Sequence, residues 1–376
     1  VRRFPWIDGL RGLAALLVLL SHVAFWTGAS AIDVSGGLLA RGDSGVAVFF
    51  AISAFLLLRP WLTGPVDLHR YAVHRAARIL PAYAVALVTV LAVAATGATP
   101  EGGLGGVGRV LSNLLLVQGY TGQTYQAFTQ TWSITTEVTF YLLLPVLGPA
   151  LRRLCDRAPR AVLPTLAAVA LLGLVVQAGA AAWSRQDPAG HAGALATSAL
   201  GHAAWFAVGA ALAVLQARPD VALRPARWTP GVVVGVAAIV YLVASTPLAG
   251  PADLRLPTVP QAVTKELLYA VFAGLLVFAA SASPRTRGER ELASWPGLGF
   301  AGDLSYAVFL WHVLVLQVLY LFTGRQLFTG GFGWMLFAVV TVTVVIAQAS
   351  AQLLELPVLR RARRSDPAAR TPVRTG

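Results

Sequence analysis

Apolar stretches of about 20 residues recur along this chain from one end to the other, and each can cross a hydrocarbon layer of about 30 Å as a helix. Inside lipid a backbone amide finds no water, so a spanning segment must satisfy its own hydrogen bonds as a helix or join a closed barrel. These stretches are continuously apolar rather than alternating, which selects helices. Hydrophobic residues make up 57% of the 376 and charged residues only 12%, about half the share in a soluble domain, and mean hydropathy is +0.69. The expected fold is all-α: a polytopic membrane bundle of about ten helices with both termini cytoplasmic. Spans are expected at 9–27, 44–60, 80–96, 130–150, 161–183, 195–215, 229–247, 265–282, 300–322 and 333–356.

Charge sets the orientation. The net charge is +13, but the basic residues do not form one patch of the kind a nucleic-acid groove needs, so no nucleic-acid partner is expected. Of 29 basic residues, 22 fall in alternate loops, from Arg2 and Arg3 through Arg152–Arg160 to Arg374. By the positive-inside rule those loops face the cytoplasm. Residues 107–120, about 14 residues, are short for a span, and counting them as one would put the four-arginine loop at 152–160 outside. They read as interfacial or re-entrant. The membrane domain is expected over 1–358, with a basic, disordered cytoplasmic tail over 359–376. The first span lacks a small-residue cleavage site and is expected to stay as an uncleaved anchor in the cytoplasmic membrane. Cys155 is the only cysteine, so no intramolecular disulfide is available, and the histidines show no metal-ligand spacing.

Ionisable residues inside apolar spans are costly and mark functional interiors. In "IDGLRGLAALLVLLSHVAFW", Arg11 and His22 are eleven residues apart, which closes three helical turns to within about 20° and puts both on one wall, about 16 Å apart. The bland alternative is that Arg11 reaches the headgroups. In "HRYAVHRAARILPAY" the sequence plots as a short amphipathic helix at the inner interface, with Arg70, His74, Arg75 and Arg78 on one arc. Arg75 and Arg78, three apart, are helix neighbours suited to phosphate oxygens, unless they serve orientation alone. "QTWSITTEVTFYLLLP" has an unusually polar outer half. There Glu137 is expected at the depth of His22, where it would orient the imidazole as a general base needs; otherwise it is a helix-bonding glutamate. His312 in "GDLSYAVFLWHVLVL" falls near mid-membrane, as a packing residue or a chemical one. Asp8 and Asp303 are expected to be helix N-caps, and Ser53 has no nucleophile-elbow context.

Taken in order, these strings resemble the membrane acyltransferase-3 family, whose members O-acylate sugars and other hydroxyl compounds at or beyond the cytoplasmic membrane. The resemblance rests on the R-x10-H pair Arg11 and His22, "GVAVFFAISAFLLLRPW", the R-x-x-R pair Arg75 and Arg78, "TWSITTEVTFYLLLP" with Glu137, "AWFAVGAALAVL", and "LSYAVFLWH" with His312. It implies transfer of an acyl group, acetyl or another short chain, from cytosolic acyl-CoA to a hydroxyl of a carbohydrate, envelope glycan or secreted metabolite. It implies an essential His22, with Glu137 as its catalytic companion and Arg11, Arg75 and Arg78 serving the donor. Ser53, Trp132, Ser133, Tyr306 and His312 are expected to bind substrate or support the site. Acyl-CoA would be a co-substrate, with no tightly bound cofactor and no metal. Two positions depart from the family pattern: Ala54 replaces the glycine of a Ser-Gly-Phe turn, and Val138 stands where a second acid often adjoins the glutamate. The rival expectation is a transporter in which His22, Glu137 and His312 relay protons.

Overall fold

A computed structural model describes residues 4–31, 33–188, 191–221, 229–282 and 286–364, and the described residues are helices and their connections. The chain runs through α1 (Pro5–Thr27), α2 (Asp33–Ala40), α3 (Gly45–Thr63), α4 (Leu68–Ala95), α5 (Val107–Leu114), α6 (Gln118–Thr121), α7 (Trp132–Arg157) and α8 (Val162–Gln186). It continues through α9 (Ala192–Ala196), α10 (Ala203–Ala217), α11 (Pro230–Ala244), α12 (Val259–Ser281), α13 (Arg287–Ala293), α14 (Pro296–Thr323), α15 (Phe332–Ser350) and α16 (Leu356–Arg364). Eight segments among the described residues are long and apolar enough to cross a membrane. The stretches expected at 195–215 and 229–247 hold shorter helices, α10 and α11, and the first of these is interrupted between Ala196 and Ala203.

α1 and α14 form the centre. Nearly every residue of α14 from Leu304 to Gln317 is buried, and α1 buries Ile7, Ala14, Ala15, Val18, Leu19 and Val23. Their approach depends on small residues, as is usual where lipid supplies no hydrophobic drive between helices. A Cβ built on Gly12 would lie 2.6 Å from the Ala301 Cβ. The 3₁₀ turn Arg41–Ser44 sits equally close: a Cβ on Gly42 would meet the Leu17 carbonyl oxygen at 2.2 Å. This contact fixes the turn against the middle of α1. The outer helices show apolar side chains such as Leu142, Val146, Leu171, Val175, Phe337 and Val345 on their exposed faces, as a lipid solvent requires.

Several expectations change. The arginine-bearing segment is not a separate amphipathic helix: it is the first part of α4, one 28-residue helix capped by Asp67, whose side chain accepts from Arg70 N. At 1.5 Å per residue α4 is about 42 Å long, more than the thickness of a hydrocarbon layer, about 30 Å, and its arginines and its apolar part share one unbroken helix. Asp8 lies in the first turn of α1, whose N-cap is Phe4, and Asp303 lies inside α14, which starts at Pro296; neither is a cap. Residues 107–120 do not span: α5 is eight residues, then Leu116 adopts a left-handed conformation (φ 60°) before α6. Asn113 and Gln118 are fully enclosed there. The tail begins as α16, which extends through Arg364; residues 365–376, with Arg370 and Arg374, lie outside the described residues, as do Arg2, Arg3, Arg224, Arg227 and Arg285.

Candidate active site

The two central helices bring two imidazoles together. His22 on α1 and His312 on α14 meet edge to face with ring centroids 5.0 Å apart. His312 is 0% exposed and His22 is partly buried. His312 Nδ1 lies 3.0 Å from the Val308 carbonyl oxygen, which can only accept, so Nδ1 carries the proton. In the neutral ring Nε2 is then a lone pair, and it faces His22 Nδ1 at 3.3 Å. His22 Nδ1 is also 2.9 Å from the Val18 carbonyl oxygen, so it too must be an N–H. The tautomer follows from these partners. It leaves His22 Nε2 unprotonated and unbonded to any described residue.

Glu137 does not complete this pair. Its Oε1 accepts from the Ser53 hydroxyl and, at 2.6 Å, from the Tyr141 hydroxyl one helical turn along α7. Glu137 is not level with His22 because α7 starts beside the middle of α14. Gln130 and Thr131, just before it, are 2% and 0% exposed, and the Gln130 amide donates to the Leu310 carbonyl at 2.9 Å. The helix therefore begins level with the histidines, and Glu137, seven residues beyond Gln130, lies about 10 Å farther toward the arginine-rich end.

At that end the remaining expected residues gather. The Arg75 guanidinium lies 5.7 Å from the centre of the Tyr141 ring, and Tyr71 donates its hydroxyl to the Tyr141 carbonyl at 2.9 Å. Arg78 lies over the Tyr306 ring at 5.7 Å and pairs with Glu355 at 3.3 Å. Glu355 is 1% exposed and projects from a π-turn, Ala351–Glu355, joining α15 to α16; such turns are rare and often mark functional places. Arg11 is half-buried on α1, makes no hydrogen bond or ion pair with a described residue, and feels the charges of Arg78 and Glu137. The arrangement offers three cations, only one of them ion-paired, beside two tyrosine rings and two carboxylates, about three helical turns below the imidazoles.

Trp132 and Ser133 lie elsewhere. Ser133 donates to the Gln130 carbonyl at 3.0 Å, and Trp132 packs 5.3 Å from the His202 ring. His202, which stands alone in the sequence, pairs with Glu266 at 3.1 Å and stacks on Trp205 at 3.9 Å. Sequence reasoning also missed Tyr141 and Glu355. Tyr141 had a readable signal, four residues from Glu137 and so on its face of the helix; Glu355, in an apolar run before a turn no spacing announces, had none.

The fold and this polar column define a multi-pass helical membrane protein with titratable groups strung along the interior of its central helices. A comparison with protein-family models matches residues 4–350 to an acyltransferase domain, that of the acyltransferase-3 family. The chain belongs to that family and is a membrane acyltransferase. Searches of curated proteins and of solved structures gave no match.

Proposed function

We propose that the protein is an O-acyltransferase of the cytoplasmic membrane that moves an acetyl or other short acyl group from cytosolic acyl-CoA to a hydroxyl of a carbohydrate, envelope glycan or secreted metabolite. His22 is the general base. The observation that carries this reading is the fixed tautomer: Val18 and His312 occupy Nδ1, so the free Nε2 is the atom able to take a proton. Nε2 removes the acceptor's hydroxyl proton as the oxygen attacks the thioester carbonyl carbon. The C–O bond forms, the C–S bond breaks, and the imidazolium returns the proton to the departing CoA sulfur.

Arg75 and Arg78 hold donor phosphates at the arginine-rich end, and Arg11, on the same wall of α1 as His22, leads the acyl arm inward. Planar guanidinium groups suit phosphate oxygens. Glu137 serves this donor end rather than the imidazole: held by Ser53 and Tyr141, it is the counter-charge among the arginines. The test is detergent-purified full-length chain with radiolabelled acetyl-CoA and a membrane extract as acceptor source. Wild type should transfer label and release CoA. His22→Ala, which keeps α1 intact, should lower the rate by about 10²–10⁴, the usual worth of a positioned base. A folded His22→Ala protein with full transfer activity would refute the assignment.

A further inference from the structure

Level with the histidines, in the turn packed on Leu17 and Ser21 of α1, a second polar group remains without a task. Asp43, in the turn held against α1, accepts from Lys265 Nζ at 2.7 Å and from the Tyr269 hydroxyl. Its neighbours are sealed, Arg41 at 3% and Ser44 at 0% exposure, and Tyr269 is 1% exposed. Yet the side chains of Asp43 and Lys265 keep 38% and 35% of their surface accessible. Both side chains therefore keep surface that a ligand can reach. Asp43 is close enough to His22 for its charge to act on that ring. Behind it, Glu266 is 3% exposed and its Oε1 has no hydrogen-bond partner, beside the stacked rings of His202 and Trp205.

We propose that Asp43, Lys265 and Tyr269 form the acceptor subsite, and that its ligand is a neutral polyhydroxyl compound presenting adjacent hydroxyls; this rests on the acyltransferase reading above. An ammonium has three N–H donors, and Lys265 uses one on Asp43. Each Asp43 oxygen accepts one bond and has a further lone pair. The pair thus displays spare donors and spare acceptors side by side, the pattern that adjacent hydroxyls, each donor and acceptor at once, satisfy. A charged ligand would have to break the Asp43–Lys265 pair, whereas a neutral one joins it. Arg41 strengthens the frame, its guanidinium donating to the carbonyls of Ala244 (2.8 Å) and Gly250, so its charge is fixed near Asp43 and unavailable to a ligand.

Lys265 is the only lysine in the chain, so an amine-reactive reagent reads this subsite directly, with the terminal amine as internal reference. Full-length protein in detergent is labelled with a small water-soluble reagent in the presence of methyl glucoside, sorbitol or glycerol, with propanol at equal molarity as the single-hydroxyl control. Peptide mass spectrometry gives the Lys265 rate. A polyol at ten times its half-protecting concentration should slow Lys265 labelling about tenfold without slowing the terminal amine, and propanol should not. His22→Ala should be protected equally. Tyr269→Phe, the mild variant, should weaken protection, and Asp43→Asn should abolish it and speed labelling. No labelling of Lys265, no protection by any polyol, or equal protection by propanol overturns the subsite. Protection without CoA release by wild type would instead overturn the acyltransferase reading alone, and transfer without protection would overturn the subsite alone.

Discussion

His312 offers a graded test of how the base is held. Replacing it with Phe keeps a ring in a fully buried place but removes the Nε2 lone pair that faces His22 Nδ1 at 3.3 Å. That contact is neutral and at the long end of hydrogen-bond geometry, so it is worth about 0.5–1 kcal/mol. The Val18 carbonyl still holds Nδ1 at 2.9 Å, so orientation is loosened, not lost. The expected fall in kcat is about two- to fivefold, with the KM for acyl-CoA unchanged because the arginines lie about three turns away. His312→Gln, whose amide oxygen can accept near the former Nε2, should recover most of the loss. Steady-state CoA release at saturating donor, on protein shown to be monodisperse, measures all three. A folded His312→Phe enzyme with wild-type kcat would remove the pair from the mechanism. A loss as deep as that of His22→Ala would make His312 a second proton-transfer group.

Arg75→Ala combined with Arg78→Ala should raise the KM for acyl-CoA about tenfold or more, the worth of a lost charge-assisted contact, with a smaller effect on kcat; donor titration checks this, and an unchanged KM would return the pair to membrane orientation. Gly12→Val should force α1 from α14, where a Cβ already meets Ala301 at 2.6 Å, and lower stability by about 1–3 kcal/mol, read as a lower Tm in detergent; an unchanged Tm would mean the helices separate freely.

The helices were legible because apolar runs of spanning length admit few folds in lipid, and the eight long helices fall on expected stretches. Boundaries set by polarity were less legible. The arginines of α4 look like a separate surface helix, yet backbone hydrogen bonds continue across the change from water to lipid, and one helix results. The candidate site was legible in its residue types and not in its pairings. The Arg11–His22 wall follows from helical period alone. The Glu137 depth did not, because a buried 3₁₀ turn, Gln126–Thr131, starts α7 within the bundle. His312, read as either packing or chemistry, proved to be the partner of His22, since relative depth on α14 depends on where Pro296 begins that helix.

α10 and α11 are fifteen residues each, about 22 Å of helix against a hydrocarbon layer of about 30 Å. Both flank α12, the helix that carries Lys265 and Tyr269. α10 is buried among α3, α8 and α12, but α11 turns Val232, Val234, Ile239 and Leu242 outward, and lipid next to a helix this short should pinch inward to cover it. The protein would thus sit in a dimple of its own making, and a water-soluble acceptor would meet the catalytic level after a shorter descent than the surrounding bilayer demands.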